Sequence, residues 1–117
     1  MIKIDFNAQN EKMISITGRS EFFCAKVGNI THITCDSYLS TIHLVNGATY
    51  FTVHLLKRLE EKLVEHGFYR VHHHTLINTE HIIYVQMTPK EGSVDINGNT
   101  IKMSRRKGEQ LKKLILN

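Results

Sequence analysis

The chain has 117 residues and a net charge of +4, with 41% hydrophobic and 22% charged residues. This length is sufficient for one domain with its own hydrophobic core, and the composition excludes disordered and collagen-like chains. No apolar run reaches the roughly 18 residues of a membrane-spanning helix. The first residues lack the basic start and apolar core of a secretory signal, so a soluble cytoplasmic protein is expected.

Short segments of alternating polarity predict a mainly β fold, with antiparallel sheets built from hairpins. Strands are predicted at residues 13–17, 22–27, 30–35, 69–71 and 82–86. Residues 1–21 are interpreted as an N-terminal lead-in strand before a core of residues 22–117, and the whole chain as a single domain. Ile30 and Ile33 are out of phase for simple alternation, which indicates either a bulge or a strand buried on both faces.

Two Asn-Gly pairs predict hairpins whose register can be derived. If Asn46-Gly47 is a two-residue loop, Ile42 lies opposite Phe51 and Ser40 opposite Val53. The buried face would then be shared by Ile42, Leu44, Phe51 and Val53. The same reasoning for Asn97-Gly98 places Val94 opposite Ile101, with Ile96 and Met103 on the same face.

Two segments are predicted to be helices. The first is an amphipathic helix over about residues 54–66, with Gly67 as its end and a possible pair between Lys57 and Glu61. Its apolar stripe consists of Leu55, Leu56, Leu59 and Leu63. The second is a short C-terminal helix over about residues 105–116, which Ser104 would cap. Its buried stripe is predicted to be Leu111, Leu114 and Ile115. A short turn is predicted to begin at Asn78-Thr79-Glu80.

The cysteines and histidines do not form a recognisable metal or catalytic motif. Cys24 and Cys35 lie in apolar segments and are predicted to be reduced core thiols. Neighbouring residues on a strand point to opposite faces, so His72, His73 and His74 are not expected to converge on one ion. His72 is predicted to pack inward while the other two face solvent. Neither an enzyme nor a cofactor or metal is expected, because no nucleophile elbow, phosphate-binding loop or carboxylate pair is present.

Positive charge is concentrated at the C-terminal end. Residues 101–117 carry six basic side chains and one acidic one, a net +5, which leaves residues 1–100 at −1. Arg105, Arg106 and Lys107 would occupy the first helical turn, where the helix dipole disfavours cations by a few tenths to about 1 kcal/mol each. A polyanion over this helix end would turn the three cations into phosphate or base contacts, and arginine can read guanine bidentately. Solvated charges that favour solubility are the alternative.

Several stretches of the sequence together resemble the LytTR family of bacterial DNA-binding domains. The most specific are Phe68-Tyr69-Arg70-Val71-His72-His73-His74-Thr75-Leu76-Ile77-Asn78 and Met103-Ser104-Arg105-Arg106. The residues from Ile33 to Tyr38, the Asn46-Gly47 turn and the leucine-rich helix follow in the expected order. The resemblance extends from about residue 22 to the end of the chain.

The resemblance implies a domain that binds DNA through loops and the start of its last helix. The residues predicted to contact DNA are Tyr38, His73, His74, Arg105, Arg106 and Lys107. Those predicted to shape the second DNA-facing loop are Arg70, His72 and Asn78. Weaker phosphate contacts are predicted for Ser37, Lys112 and Lys113. Replacing both Arg105 and Arg106 is expected to abolish specific DNA binding without disturbing the fold.

The function implied is a sequence-specific transcriptional regulator that binds double-stranded DNA, with two copies on adjacent direct repeats. Family members usually follow a receiver, as in two-component response regulators, or a membrane-sensor segment. Neither is seen in this sequence, so the input signal and the upstream partner are left open. The alternative is a regulatory protein-interaction module that keeps the fold but does not bind DNA specifically.

Overall fold

The computed structural model describes residues 1–116, which form three antiparallel sheets and two α-helices. This confirms the mainly β fold. The strands are β1 (Ile2–Phe6), β2 (Lys12–Thr17), β3 (Phe22–Lys26), β4 (Ile30–Asp36), β5 (Leu39–Leu44), β6 (Thr49–Thr52), β7 (Phe68–His72), β8 (Thr75–Asn78), β9 (Ile82–Met87), β10 (Glu91–Ile96) and β11 (Asn99–Ser104). The helices are α1 (Leu56–Leu63) and α2 (Arg105–Leu116). Single 3₁₀ turns cover Val27–Asn29, Val64–His66 and Thr79–His81.

The central sheet has the strand order β6-β5-β4-β8-β7, and a three-stranded sheet lies before it and after it in the chain. Two buried clusters pack on its two faces. Consecutive residues of β8 separate them, since Leu76 belongs to one cluster and Ile77 to the other. The first cluster includes the leucines of α1, and the second includes Leu111 of α2.

The interpretation of residues 1–21 as one lead-in strand is wrong, because this segment contains both β1 and β2. These pair with each other, and β2 pairs with β3. The buried side chains Ile2, Ile14 and Ile16 join the first cluster. β8 is a further strand that the sequence reasoning missed. All four of its residues are buried, so the alternation that identifies a half-exposed strand is absent.

The first hairpin has a different register from the predicted one. The Leu44 amide donates to the Ala48 carbonyl and the Gly47 amide donates to the Leu44 carbonyl, so the loop has one residue more than predicted. Gly47 takes a φ of +90°, which glycine accepts at little cost. Ile42 therefore lies opposite Tyr50. A shift of one residue reverses the face of a strand, which leaves Phe51 57% and Val53 73% exposed.

The second hairpin agrees with its prediction. Val94 lies opposite Ile101, and the side chains of Val94, Ile96 and Met103 are buried in the second cluster. In β4 both of the proposed explanations apply. The pairing with β5 shifts between Ile30 and His32, and residues 30–33 are buried without alternation.

The first helix begins two residues later than predicted and ends in a 3₁₀ turn before Gly67, whose φ is +90°. Three of its four predicted core leucines are buried, but Leu55 is exposed because it precedes the helix. Glu61 pairs with Arg58 at 4.0 Å instead of with Lys57. The predicted short turn is the 3₁₀ segment at Thr79–His81.

The second helix is capped as predicted, with the Ser104 hydroxyl accepting from the Lys107 amide at 3.1 Å. Its buried residues are Gly108 and Leu111. The prediction that Leu114 and Ile115 are buried is wrong, since the last turn of α2 leaves both exposed. Among residues 1–116 no helix is long and apolar enough to span a membrane.

Both cysteines are free thiols, but neither is a core residue. Cys24 is exposed on β3, which is the edge strand of the first sheet. Cys35 is partly buried near the end of β4. Alternation on an edge strand with one solvent face accounts for the exposure of Cys24.

Candidate nucleic-acid interface

The three histidines lie together at the turn between β7 and β8. All three side chains are exposed, and the ring centroids of His72 and His73 are 4.4 Å apart, while those of His73 and His74 are 3.9 Å apart. The expectation that His72 packs inward is wrong. The pairing of β7 with β8 shifts between Arg70 and His72, so Val71 is buried and His72 turns outward. His73 and His74 lie in the turn itself, so the alternation of side chains along a strand does not apply to them.

Arg70 holds this turn in place. Its Nη2 donates to the His73 carbonyl at 2.7 Å and its Nε to the His72 carbonyl at 3.3 Å. Nη1 forms an ion pair with Glu60 Oε1 of α1 at 2.7 Å. These contacts are what a loop-shaping role for Arg70 requires. Glu60 was not singled out in the sequence, because only the fold brings α1 beside β7.

The charge state of His73 depends on its neighbours. Its pKa lies below the ordinary value of 6.5, chiefly because of the His74 charge, with smaller effects of burial, His72 and Arg70. The ring is therefore mostly neutral at neutral pH. A neutral imidazole presents one donor and one acceptor, which suits the edge of a base.

The start of α2 is attached to β7 through Tyr69. The Tyr69 hydroxyl donates to the Lys107 carbonyl at 3.0 Å, with Gln110 Oε1 at 3.1 Å, and Lys107 Nζ lies 5.6 Å from the ring centroid. Burial raises the pKa of Tyr69, so the hydroxyl keeps its proton. Sequence reasoning assigned Tyr69 only to a strand. Its position next to Arg70 in the family-like motif is the feature of the sequence that could have indicated a role for Tyr69 at the site.

The three basic residues at the start of α2 have different surroundings. Arg105 Nη2 pairs with Glu109 Oε2 at 3.0 Å, and its Nη1 donates to the Thr88 carbonyl. Lys107 is partly buried against Tyr69. The Arg106 side chain is exposed, and the ion pairs and hydrogen bonds within residues 1–116 do not include it. Arg106 is therefore the cation of the three that can be offered in full to a ligand.

A surface groove of about 310 Å³ joins the histidine turn to the start of α2. Its lining consists of Val71, His72, His73, Ser104, Arg106 and Lys107. Two segments that are about 30 residues apart in the sequence thus form one basic surface. Arg105 and His74 border this surface without lining the groove.

The turn between β4 and β5 is next to the histidine turn. The Cys35 amide donates to the His74 carbonyl at 2.9 Å, and Thr34 pairs with Thr75. Ser37, with a φ of 56°, and Tyr38, which is 83% exposed, form the tip of this turn. The fold therefore presents the predicted contact residues of both turns from the same end of the central sheet.

Three predicted site residues, Asn78, Lys112 and Lys113, do not line the groove. Asn78 is at the opposite end of β8 from the histidine turn. Lys112 lies beside an apolar surface formed by β9 and the end of α2. Lys113, seven residues after Arg106, shares its side of the helix about 10 Å further along.

Replacing Asn78 with Ala should lower the free energy of unfolding by about 1–3 kcal/mol. Its buried Nδ2 donates to the Ile30 carbonyl at 2.9 Å, and its Oδ1 accepts from the Glu80 amide at 3.1 Å. The variant leaves both backbone groups without these partners. Urea unfolding measures the change, and Asn29→Ala, at an exposed site, is the matched control. Equal stability of the two variants would contradict this role.

The LytTr DNA-binding domain family matches residues 20–116. A solved structure with the same architecture is the LytTr DNA-binding domain of a protein described as a methyl-accepting/DNA response regulator from Bacillus cereus. Its TM-score to this chain is 0.72 at 15% sequence identity, and the match covers 88% of this chain and 95% of that one. No curated protein matches the chain. Since the family match spans most of the sequence, this chain belongs to the LytTR family of DNA-binding domains.

Proposed function

We propose that this chain is a transcriptional regulator that binds duplex DNA sequence-specifically at the groove between the histidine turn and the start of α2. The observation that carries the proposal is the shared groove of His72, His73, Arg106 and Lys107. Membership of a family of DNA-binding domains, which is not an enzyme family, supports DNA as the partner.

The groove offers chemistry for both bases and phosphates. Arg106 has the planar fork that suits guanine, and neutral His73 can accept from or donate to a base edge. Arg105, Lys107 and His74 surround them as positioning and phosphate contacts. Ser37 and Tyr38 reach the same end of the sheet from the neighbouring turn and supply further backbone contacts.

Two copies on adjacent direct repeats are part of the proposal. A single small DNA-binding module buries only about 600–1,000 Å² of protein surface, which limits the sequence that one copy can discriminate. A second copy of the same domain on a neighbouring repeat lengthens the DNA sequence that is recognised. We further propose that the chain acts as one domain and, as a bacterial DNA-binding protein, in the cytoplasm.

Selection from random duplexes at two salt concentrations tests this function. Binding through several phosphates should lose orders of magnitude in affinity between low and moderate salt, and the selected sites should share a short repeated sequence. Selected pools that stay random at both salt concentrations would refute the proposal.

A second candidate is a protein-interaction module, favoured by an apolar groove between β9 and the last turn of α2. Its lining includes Ile82, Tyr84, Val85 and Met87 from the strand, and Ile115 and Leu116 from the helix. An apolar protein interface changes little with salt, in contrast to DNA binding. The salt dependence of binding therefore separates the two candidates.

Residues of the groove and of α2 should have separable effects on DNA binding. His73→Ala should reduce the preference at one or two base pairs and leave the salt dependence unchanged, since a neutral ring releases no counterions. Lys113→Ala should weaken all sequences equally and lower the salt slope by up to about one unit. Lys112→Ala is the matched control with a smaller expected effect, because Lys112 faces the apolar groove. Titrations of each variant at several salt concentrations measure both quantities.

A further inference from the structure

One acidic side chain of α1 is joined to the histidine turn through a single arginine. Glu60 Oε1 accepts from Arg70 Nη1 at 2.7 Å. From the same guanidinium group, Nη2 donates to the His73 carbonyl at 2.7 Å and Nε donates to the His72 carbonyl at 3.3 Å. The planar guanidinium group is therefore held at all three of its nitrogen atoms, between one carboxylate and two backbone carbonyls.

Glu60 supplies the negative charge in this arrangement. The side chains of Glu60 and Arg70 are only 30% and 25% exposed, so water screens their attraction less than it screens a surface ion pair. The other two acceptors of Arg70 are neutral carbonyls, and hydrogen bonds between two ions are the stronger kind. Within residues 1–116, Glu60 is the acidic side chain that pairs with Arg70. The position of the guanidinium group thus depends on a residue of α1.

We propose that Glu60 is a positioning residue for the sequence specificity of DNA binding, although it does not line the groove. This inference rests on the proposed function. Glu60 keeps Arg70 on the carbonyls of the histidine turn, and the orientation of that turn sets where the His73 ring meets a base edge. A base contact needs a donor or acceptor in a fixed place, whereas a phosphate contact carries no sequence information.

Removal of the Glu60 charge should therefore have opposite effects on specific and non-specific binding. Glu60→Gln removes one negative charge from the protein, which favours every duplex because the DNA backbone is anionic. It also releases the Arg70 guanidinium for a phosphate contact. At the same time the histidine turn loses its fixed orientation, so the preference at the base pairs that His73 contacts falls. A residue that only stabilised the fold would lower both affinities together.

Anisotropy titrations with a selected duplex and a scrambled duplex of equal length measure this effect. In Glu60→Gln the ratio of the two affinities should fall at least about fivefold, the size of a weak base contact, without a loss of affinity for the scrambled duplex. Glu61→Gln is the matched control. It removes the same charge at the next residue of α1, where Glu61 pairs with Arg58 at 4.0 Å, and it should keep the wild-type ratio.

Arg70→Lys tests whether Glu60 acts through Arg70. Lysine carries its donors on one nitrogen atom and cannot hold the carboxylate and both carbonyls in the same way, so this variant should also lower the ratio. When Glu60→Gln is added to Arg70→Lys, the ratio should fall no further, since the two residues act as one unit. Additive losses would overturn the proposal.

NMR of the free chain gives a second measurement that needs no DNA. The backbone amide signals of His73 and His74 should shift in Glu60→Gln and stay in place in Glu61→Gln. Unmoved signals, or a wild-type affinity ratio in Glu60→Gln, would refute the role of Glu60 alone. A wild-type chain that does not distinguish the two duplexes would refute the proposed function and this role with it. If Glu60→Gln does not fold, Glu60→Asp, which is one methylene shorter, replaces it and should also lower the ratio.

Discussion

Replacing Arg106 with Ala is expected to weaken binding to a selected duplex by about 5- to 150-fold and to leave the unfolding temperature unchanged. This range corresponds to the loss of one bidentate base contact, about 1–3 kcal/mol. Stability should be unaffected because the side chain is exposed and no hydrogen bond or ion pair within residues 1–116 involves it. Fluorescence anisotropy with the selected site and thermal unfolding measure the two quantities.

Two other arginines provide the controls for Arg106. Arg19→Ala removes the same charge from an exposed loop between β2 and β3 and should bind DNA almost as the wild type does. Arg105→Ala should lower stability, since it loses its contacts to Glu109 and the Thr88 carbonyl. The double Arg105/Arg106 substitution would therefore combine a loss of DNA affinity with a loss of stability. Wild-type affinity in Arg106→Ala would refute the proposed interface.

Acidification from pH 8 to pH 5 is expected to cost about 2 kcal/mol of folding free energy through His32 alone. His32 is 6% exposed, and its ring stacks on His43 with centroids 4.1 Å apart. Burial, and secondarily the His43 charge, lower its pKa from 6.5 to about 4. Between these two values the unfolded chain binds the proton and the native protein does not. Stability is therefore complete above pH 6.5 and is lost as the pH falls towards 4.

Urea unfolding at pH 8 and pH 5 tests this effect. His32→Asn, which keeps a polar atom near the Thr31 hydroxyl that His32 Nδ1 contacts at 2.9 Å, should show a smaller loss between the two pH values than the wild type. His66→Gln should keep the wild-type loss. The pKa of His32 can also be followed directly by NMR in the native protein. A value of 6.5 or higher would contradict the assignment.

The sequence predicts this fold best where side-chain pattern and turn chemistry agree. The Val94 and Ile101 pairing follows from Asn97-Gly98 because this loop has the assumed two residues. The same logic fails at Asn46-Gly47, where one additional loop residue reverses the faces of Phe51 and Val53. The polarity pattern does not predict β8, because a strand buried on both faces shows no alternation of polar and apolar residues.

The sequence indicates the basic residues and the histidines of the candidate site, but not the contacts that decide which of them are available to a ligand. The unfavourable cations at the start of α2 and the family-like motif both indicate Arg105 and Arg106. Which arginine is available depends on Glu109 and Thr88, whose contacts exist only in the folded chain. The grouping of the three histidines depends on a register shift after Arg70, which sequence periodicity does not reveal.

The burial of β8 on both faces has a consequence for the histidine turn. Leu76 packs in one hydrophobic cluster and Ile77 in the other, so we expect the amides of this strand to exchange slowly with solvent. His74 is joined directly to Thr75, the first residue of that strand. The turn that faces the groove is thus anchored to a strand that is buried on both faces. The backbone of the turn is therefore oriented before any ligand arrives, so binding loses little conformational entropy there.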